Sequence, residues 1–359
     1  MSTVFRDLLR KVGSGSHTSE NLTRAEAAQA TEMMLTQTAT PAQIGAFMIA
    51  HRIKRPTGEE LAGMLDAYDQ LGPKLTAVPA AYPALVMGHP YDGRSRTAPL
   101  APLTALILTA VGCPVVLHGG RRMPTKEGVP LAEIWQGLGV DWTALSLSHV
   151  QQVFAETGLG FVYLPHHFPL AEALVPYREQ IGKRPPFATV ELFWCPYAGD
   201  ATVVSGFVHP PTEDMGRTAF ALRGDQRLIT VKGLEGSCDL PRDRTCIVGI
   251  SQSGAELERL LLHPRDSGFA AAEVPLLPTA ELIAAMQDVL QGQPGELMQA
   301  AIWNGGFYLW QCGHCPSIEA GFAEAKQLLT SGKVADKLAE VSLAVGKAAT
   351  ERNPVKIAY

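Results

Sequence analysis

Leu22-Thr23-Arg24-Ala25-Glu26-Ala27 opens a helix, and the same signal returns at Thr40-Pro41-Ala42-Gln43 and at Thr57-Gly58-Glu59-Glu60. In each, a threonine stands three residues before a Glu or Gln. Its hydroxyl can accept from the third backbone N–H of the helix, while the Glu or Gln accepts from the threonine's own N–H. Pro41 falls at the first helical position, where its missing N–H costs nothing. Leu61, Met64, Leu65, Tyr68 and Leu71 then recur at helical spacing and give one apolar face. The spacing predicts a helical bundle over residues 1–75.

Beyond Pro73 the texture changes. Ala84–Met87, Val115–Leu117 and Phe161–Leu164 are short apolar runs that read as buried strands, with helices over Leu100–Val111 and Leu131–Leu138 between them. Such alternation implies right-handed parallel crossovers and an α/β sheet. Thr202–Val208, Thr218–Leu222 and Leu228–Val231 read as three further strands. The C-terminal part returns to helix, with Ile318, Phe322, Ala325 and Leu329 on one face. The expected architecture is α/β: a small helical N-terminal domain and a large domain, residues 76–359, around a mainly parallel central sheet.

The chain has 359 residues, 46% hydrophobic and 18% charged, which suits two packed domains and not disorder. A net charge of -5 and a pI near 6.1 advertise no nucleic-acid or membrane partner, so any such surface must be a local patch. No run approaches the ~20 apolar residues of a membrane helix. The N-terminus is polar and lacks a signal-peptide core, so a cytoplasmic protein is expected, with its six cysteines mostly reduced.

The segments Leu22–Ala27, Gln43-Ile44-Gly45-Ala46-Phe47 and Glu59-Glu60-Leu61-Ala62-Gly63 occur in that order, followed by His118-Gly119, Tyr177-Arg178-Glu179-Gln180-Ile181-Gly182 and Ser331-Gly332-Lys333. As an ordered set the sequence resembles the anthranilate phosphoribosyltransferase family, over nearly its whole length. The resemblance implies a nucleoside phosphorylase/phosphoribosyltransferase-like fold, with helices from about 166–184 packing on the N-terminal domain. It also implies an active-site cleft between the domains, a homodimer through the helical domain, a link to tryptophan biosynthesis, and transfer of ribose from phosphoribosyl pyrophosphate with Mg²⁺ on the pyrophosphate. Such chemistry needs a departing pyrophosphate held by backbone N–H groups, hydroxyls and metal.

Several motifs of the family are altered here. Its glycine-rich phosphate loop corresponds to Gly88-His89-Pro90-Tyr91-Asp92-Gly93, where Gly88, Asp92 and Gly93 remain and Pro90 removes an N–H. Its Asn and Ser-Thr pair correspond to Arg96-Thr97-Ala98-Pro99-Leu100-Ala101, which leaves Thr97 as the hydroxyl. His118, Gly119 and Arg121 remain of the next element. Arg178 matches the arginine that faces the anthranilate carboxylate, a fit for its planar fork. The metal-binding Asp-Glu pair falls near Gly233-Leu234-Glu235-Gly236, so Glu235 is the candidate Mg²⁺ ligand and Asp239 lies close by. No catalytic residue is singled out.

The resemblance therefore suggests substrate contacts from Gly88, Asp92, Gly93, Thr97, His118, Gly119, Arg121 and Arg178 to a phosphorylated or anionic ligand, and puts the usual transfer in question. Arg94, Arg96, Arg121, Arg122 and Lys126, with Lys183 and Arg184, fall on loops that it places around the cleft. The alternative expectation is a non-catalytic protein that grips DNA, RNA or another polyanion with Arg94, Arg96, Arg121, Arg122 and Lys126, weakening steeply with salt. Plainer readings stand beside both: a solvated basic face, a core histidine at 118, turn glycines at 88 and 93, and packing roles for Tyr91 and Trp194. Cys312-Gly313-His314-Cys315 spells a dithiol motif, but it lies between two C-terminal helices and reads as a turn closed by Gly313 and Pro316.

Overall fold

The computed structural model describes residues 3–15, 17–224, 227–252 and 257–351. Its helical domain contains α1 (Thr3–Gly13), α2 (Arg24–Leu35), α3 (Pro41–Lys54) and α4 (Gly58–Leu71). All three expected capping boxes close, on Thr23, Thr40 and Thr57. The third does more than cap. The Glu60 carboxylate is fully buried and accepts from the N–H groups of Thr57 (2.7 Å) and Leu22 (2.9 Å) and from Lys54 Nζ (2.8 Å). Burial alone would raise its pKa, but hydrogen bonding and charge from His51, with Lys54, bring it down to about 2. One side chain thus fixes the start of α4 to the end of α3 and the entry to α2.

The large domain follows as β1 (Ala84–Gly88), α5 (Ala101–Thr109), β2 (Val115–Gly119), α6 (Leu131–Gly137), α7 (Leu147–Thr157) and β3 (Leu159–Tyr163). Short helices α8 (Leu164–His167), α9 (Pro169–Glu172), α10 (Val175–Ile181) and α11 (Phe187–Phe193) return the chain toward the helical domain, where α10 packs on α3 and α11 on α4. Then come β4 (Ala201–Gly206), α12 (Pro210–Arg223), β5 (Arg227–Val231), β6 (Cys246–Ser251), β7 (Glu258–Leu262), α13 (Thr279–Leu290), α14 (Glu296–Gln311), α15 (Ile318–Thr330) and α16 (Lys333–Thr350). Among the described residues the sheet order is β3-β2-β1-β4-β5-β6-β7, parallel as far as β5 and antiparallel beyond it.

Strands β1 and β2 are buried on both faces, as parallel strands under covering helices must be. The strand expected at Thr218–Leu222 is instead the last part of α12. A short apolar run cannot be told from a buried helix segment by its pattern, and here Pro210 and Pro211 start a helix that Gly224 ends at φ 69°. The antiparallel pair β6–β7 has no counterpart among the expected strands. Gly313, at φ 85°, sits in the turn between α14 and α15, as the sequence suggests. No helix among the described residues is long and apolar enough to cross a membrane.

The two domains are tied by charge. Asp66 of α4 receives Arg24 Nε (2.5 Å) and Arg223 Nη1 (2.7 Å), while Arg223 Nη2 reaches Asp69 (2.7 Å). Arg223 ends α12, which packs on α4, so this cluster sets the sheet domain against the bundle.

Candidate functional site

The loops after β1, β2 and β5 meet at the C-terminal edge of the sheet, facing α10, α11 and the helical domain. Between them lies a cleft of about 220 Å³, walled by Arg52 and Pro56 on one side and by Pro90, Asp92, Glu235 and Gly236 on the other. Arg184, Thr189, Glu191 and His209 complete its rim and floor.

Gly88 ends β1 hard against α11. A Cβ there would sit 2.1 Å from the Leu192 carbonyl oxygen, so only glycine allows this approach. The chain then turns through Gly93, at φ 75°, whose carbonyl accepts from Lys126 Nζ at 3.0 Å. Asp92 is buried and takes a two-pronged pair from Arg184, Nε at 2.6 Å and Nη2 at 2.7 Å. Arg94 is buried too. Its Nη1 donates to Asp239 (2.6 Å) and Ser237 (2.7 Å), its Nε to Glu235 (3.3 Å), and its Nη2 to the Thr97 hydroxyl.

Glu235 is the hub of these loops. Lys126 Nζ lies 2.5 Å from it, and the N–H groups of Ser95, Arg96 and Thr97 donate to it at 3.2, 3.0 and 3.0 Å. Burial would raise this carboxyl, but the Lys126 hydrogen bond and the Arg94 charge hold it well below the usual carboxylate range.

The floor of the cleft is a second ion pair. Arg178 Nη1 donates to Glu191 Oε1 at 2.6 Å and reaches Met123 Sδ at 2.9 Å. Both residues are buried, and burial pushes the Glu191 carboxyl up to about 7 against the pull of Arg178. Behind them, the Tyr91 hydroxyl hydrogen-bonds His118 Nδ1 at 2.5 Å, and the His118 ring meets the edges of Tyr91 and Trp194. Burial lowers the His118 pKa to about 3, with neighbouring His89 adding to the effect, and burial lowers His89 to about 4.

The sequence profile of the glycosyl transferase family's helical bundle domain matches residues 6–72, and that of its a/b domain matches residues 94–335. The chain belongs to the glycosyl transferase family. Within the family, it is 28% identical to an anthranilate phosphoribosyltransferase of Rhodopseudomonas palustris (strain BisA53), over 94% of this chain and 97% of that one. It is 26% identical to the anthranilate phosphoribosyltransferase of Xanthomonas campestris pv. campestris (strain 8004), over 81% of this chain and 84% of that one. The fold matches the anthranilate phosphoribosyltransferase of Thermus thermophilus with a TM-score of 0.78 at 21% identity, covering 96% of this chain and 100% of that one. It matches the Saccharomyces cerevisiae enzyme in complex with PRPP and Mg with a TM-score of 0.81 at 16% identity, covering 97% and 99%.

The structure gives the residues expected from the family's motifs definite surroundings. Glu235, the expected Mg²⁺ ligand, is engaged by Lys126, Arg94 and the backbone N–H groups of residues 95–97. Among the described residues no group of three or more His, Cys, Asp and Glu is placed to hold a metal ion. His118 is not a cleft residue; it is sealed in the core between Tyr91 and Trp194. The expected polyanion-binding set is not a free cationic surface. Arg121 pairs with Glu172 (2.8 Å), Arg122 with Glu133 (2.7 Å), Lys126 with Glu235, and Arg94 is enclosed. Arg96, Arg121 and Arg122 are the exposed members, and Arg96 Nε lies 3.9 Å from Glu235.

The remaining positions are placed but keep no common wall. Thr97 faces Glu235, and Gly119 is buried at the end of β2. Gly88, Asp92, Gly93 and Arg178 lie at or beneath the cleft, each engaged by another part of the chain. Glu191, Asp239 and Ser237 organise this region as partners of Arg178 and Arg94. Sequence reading passes over Glu191 and Ser237, and the one signal for them is an excess of arginines needing counterions.

Proposed function

We propose that this chain is an anthranilate phosphoribosyltransferase-like protein that binds an anionic, phosphate-bearing small molecule in the interdomain cleft without magnesium-assisted transfer from PRPP. The observation that carries this reading is the state of Glu235. Mg²⁺ needs near-octahedral oxygen ligands from carboxylates, phosphates and water. A carboxylate pinned by an ammonium, a guanidinium and three amides would have to shed two cations before it could meet a third. The residues present do not fit the metal. Arg52 and His209 at the rim support an anionic ligand, as does the likeness to a yeast enzyme solved in complex with PRPP and Mg.

Calorimetry with PRPP, with and without millimolar Mg²⁺, tests the reading beside an anthranilate-consumption assay. Binding that is indifferent to Mg²⁺, without turnover, is expected. Mg²⁺-dependent consumption of anthranilate would overturn it. An oligonucleotide titration at two salt concentrations belongs in the same series. The paired cations predict no binding, and steeply salt-dependent affinity would favour a nucleic-acid partner instead.

The reading includes a homodimer through the helical domain. Helices α1 and α3 frame a groove of about 730 Å³ lined by Leu9, Val12, Ala46, Ile49 and Ile53, and Ile53 is 70% exposed. An apolar groove of this size on a bundle face suits a second copy. Ile53→Asp should shift the mass in light scattering from dimer to monomer; a monomeric wild type would dismiss the dimer.

A further inference from the structure

Glu235 has too many donors. Its Oε1 accepts from Arg96 N (3.0 Å), Thr97 N (3.0 Å), Thr97 Oγ1 (3.0 Å) and Arg94 Nε (3.3 Å). Its Oε2 accepts from Ser95 N (3.2 Å), Ser95 Oγ (3.1 Å) and Lys126 Nζ (2.5 Å). A carboxylate offers two oxygens and about four lone-pair sites. Seven donors, two of them cationic and three of them successive backbone N–H groups, suit an anion with more oxygens and more charge. Successive N–H groups of this kind form a concavity for oxyanions.

The carboxylate also sits there at a cost. Glu235 has φ 53°, in the left-handed region that side chains beyond Gly, Asn and Asp seldom enter. Strain of this kind persists where the surroundings enforce it, and it clusters at ligand clamps and switches. The next residue, Gly236, has φ 82° and lines the cleft with Glu235, so the hub opens onto the space where a ligand would arrive.

We infer that residues 94–97 and Lys126 form a nest for a tetrahedral oxyanion, a phosphate or phosphate monoester, and that Glu235 is an internal stand-in which such a ligand must displace. The inference rests on the proposed reading of the cleft as a phosphate-ligand site and names the part that holds the phosphate. When a dianionic phosphate replaces the single charge of Glu235, Lys126 and Arg94 supply the neutralising cations. The internal occupant lowers apparent affinity by the fraction of time the nest is open, so removing it should tighten binding.

The test compares wild type, Glu235→Gln and Glu235→Ala by calorimetry in EDTA, with inorganic phosphate, pyrophosphate and ribose 5-phosphate as probes. Glu235→Ala should bind pyrophosphate at least about tenfold more tightly than wild type, with Glu235→Gln between them. Tighter binding of ribose 5-phosphate than of phosphate would identify the monoester as the ligand, and the reverse order would identify the free anion. Equal affinities for wild type and a folded Glu235→Ala would overturn the inference, as would absent binding to that variant.

Hydrogen exchange supplies a readout that needs no ligand. The amides of Ser95, Arg96 and Thr97 should be protected in wild type; the isosteric Glu235→Gln, which keeps one accepting oxygen and replaces the other with an NH2 donor, should lose protection at those its NH2 faces, and it keeps the shape if the alanine variant does not fold. Unchanged protection in that variant would also overturn the inference. The two readings separate cleanly. If wild type binds PRPP but neither variant gains phosphate affinity, the nest fails and the cleft reading stands. If the variants bind and wild type binds nothing, the nest stands and the wild-type function fails.

Discussion

Glu191 brings a carboxylate into the floor of the cleft and meets Arg178 through one nitrogen. That end-on pairing leaves Arg178 Nε and Nη2 and Glu191 Oε2 without protein partners among the described residues. Deleting one member of a buried pair strands the other charge and costs about 3–5 kcal/mol. Glu191→Ala should therefore unfold at markedly lower urea concentration than wild type; an unchanged midpoint would mean that the pair contributes nothing. The pH dependence has a definite sign. Burial raises the folded-state pKa of Glu191 to about 7, above that of an exposed glutamate. Its contribution is thus fully present below about pH 4.5 and is lost as pH rises through 7. Wild type should lose roughly 2–3 kcal/mol relative to Glu191→Gln between pH 5 and pH 8. A constant difference across that range would show that the carboxyl is ionised throughout.

At the scale of elements, legibility follows the range of the interaction. The capping boxes at Thr23, Thr40 and Thr57 could be read from the sequence because both partners lie within four residues, and β1 and β2 because a strand buried on both faces is a continuous apolar run. Thr218–Leu222 could not, since a short apolar run has the same pattern in a strand and at the end of a helix, and the prolines that start α12 lie well before it. The cations of the cleft were legible as residues, but their neutralisation was not. Glu235 lies 138–141 positions from Arg94, Ser95, Arg96 and Thr97, and only the parallel sheet brings those loops together. The bundle carries a sharper constraint that composition hides. Helices α2 and α4 cross so closely that a Cβ on Gly63 would lie 2.1 Å from the Arg24 carbonyl oxygen and 2.8 Å from the Ala28 nitrogen. Backbone cannot yield as a side-chain tip can, so Gly63→Ala should force the helices apart and cost about 1–3 kcal/mol. A thermal midpoint equal to wild type would show that the crossing is slack.

For the whole molecule, the buried titratable groups set a direction for stability against pH. Burial lowers the folded-state pKa of His118 to about 3 and of His89 to about 4, below the usual imidazole value. An unfolded chain takes up a proton on each near pH 6.5, and the folded chain does not until lower pH. Stability from these groups is present above about pH 6.5 and is lost as pH falls, at about 1.4 kcal/mol per pH unit for each histidine. Glu60, brought down to about 2, and Glu235, held low by Lys126 and Arg94, add losses of the same sign once pH drops below about 4.5. Glu191 works the other way between about pH 4.5 and 7, offsetting one histidine's share. The protein should therefore weaken gently between about pH 6.5 and 4.5 and steeply below that. His118→Phe keeps the ring volume and removes the proton site. It leaves the Tyr91 hydroxyl without its partner, so its stability at neutral pH should fall. Its decisive readout is the slope: urea midpoints between about pH 6.5 and 4.5 should vary less with pH than those of wild type. Parallel curves would mean that His118 is protonated alike in the folded and unfolded chains, and would place it in contact with water and not in the sealed core between Tyr91 and Trp194.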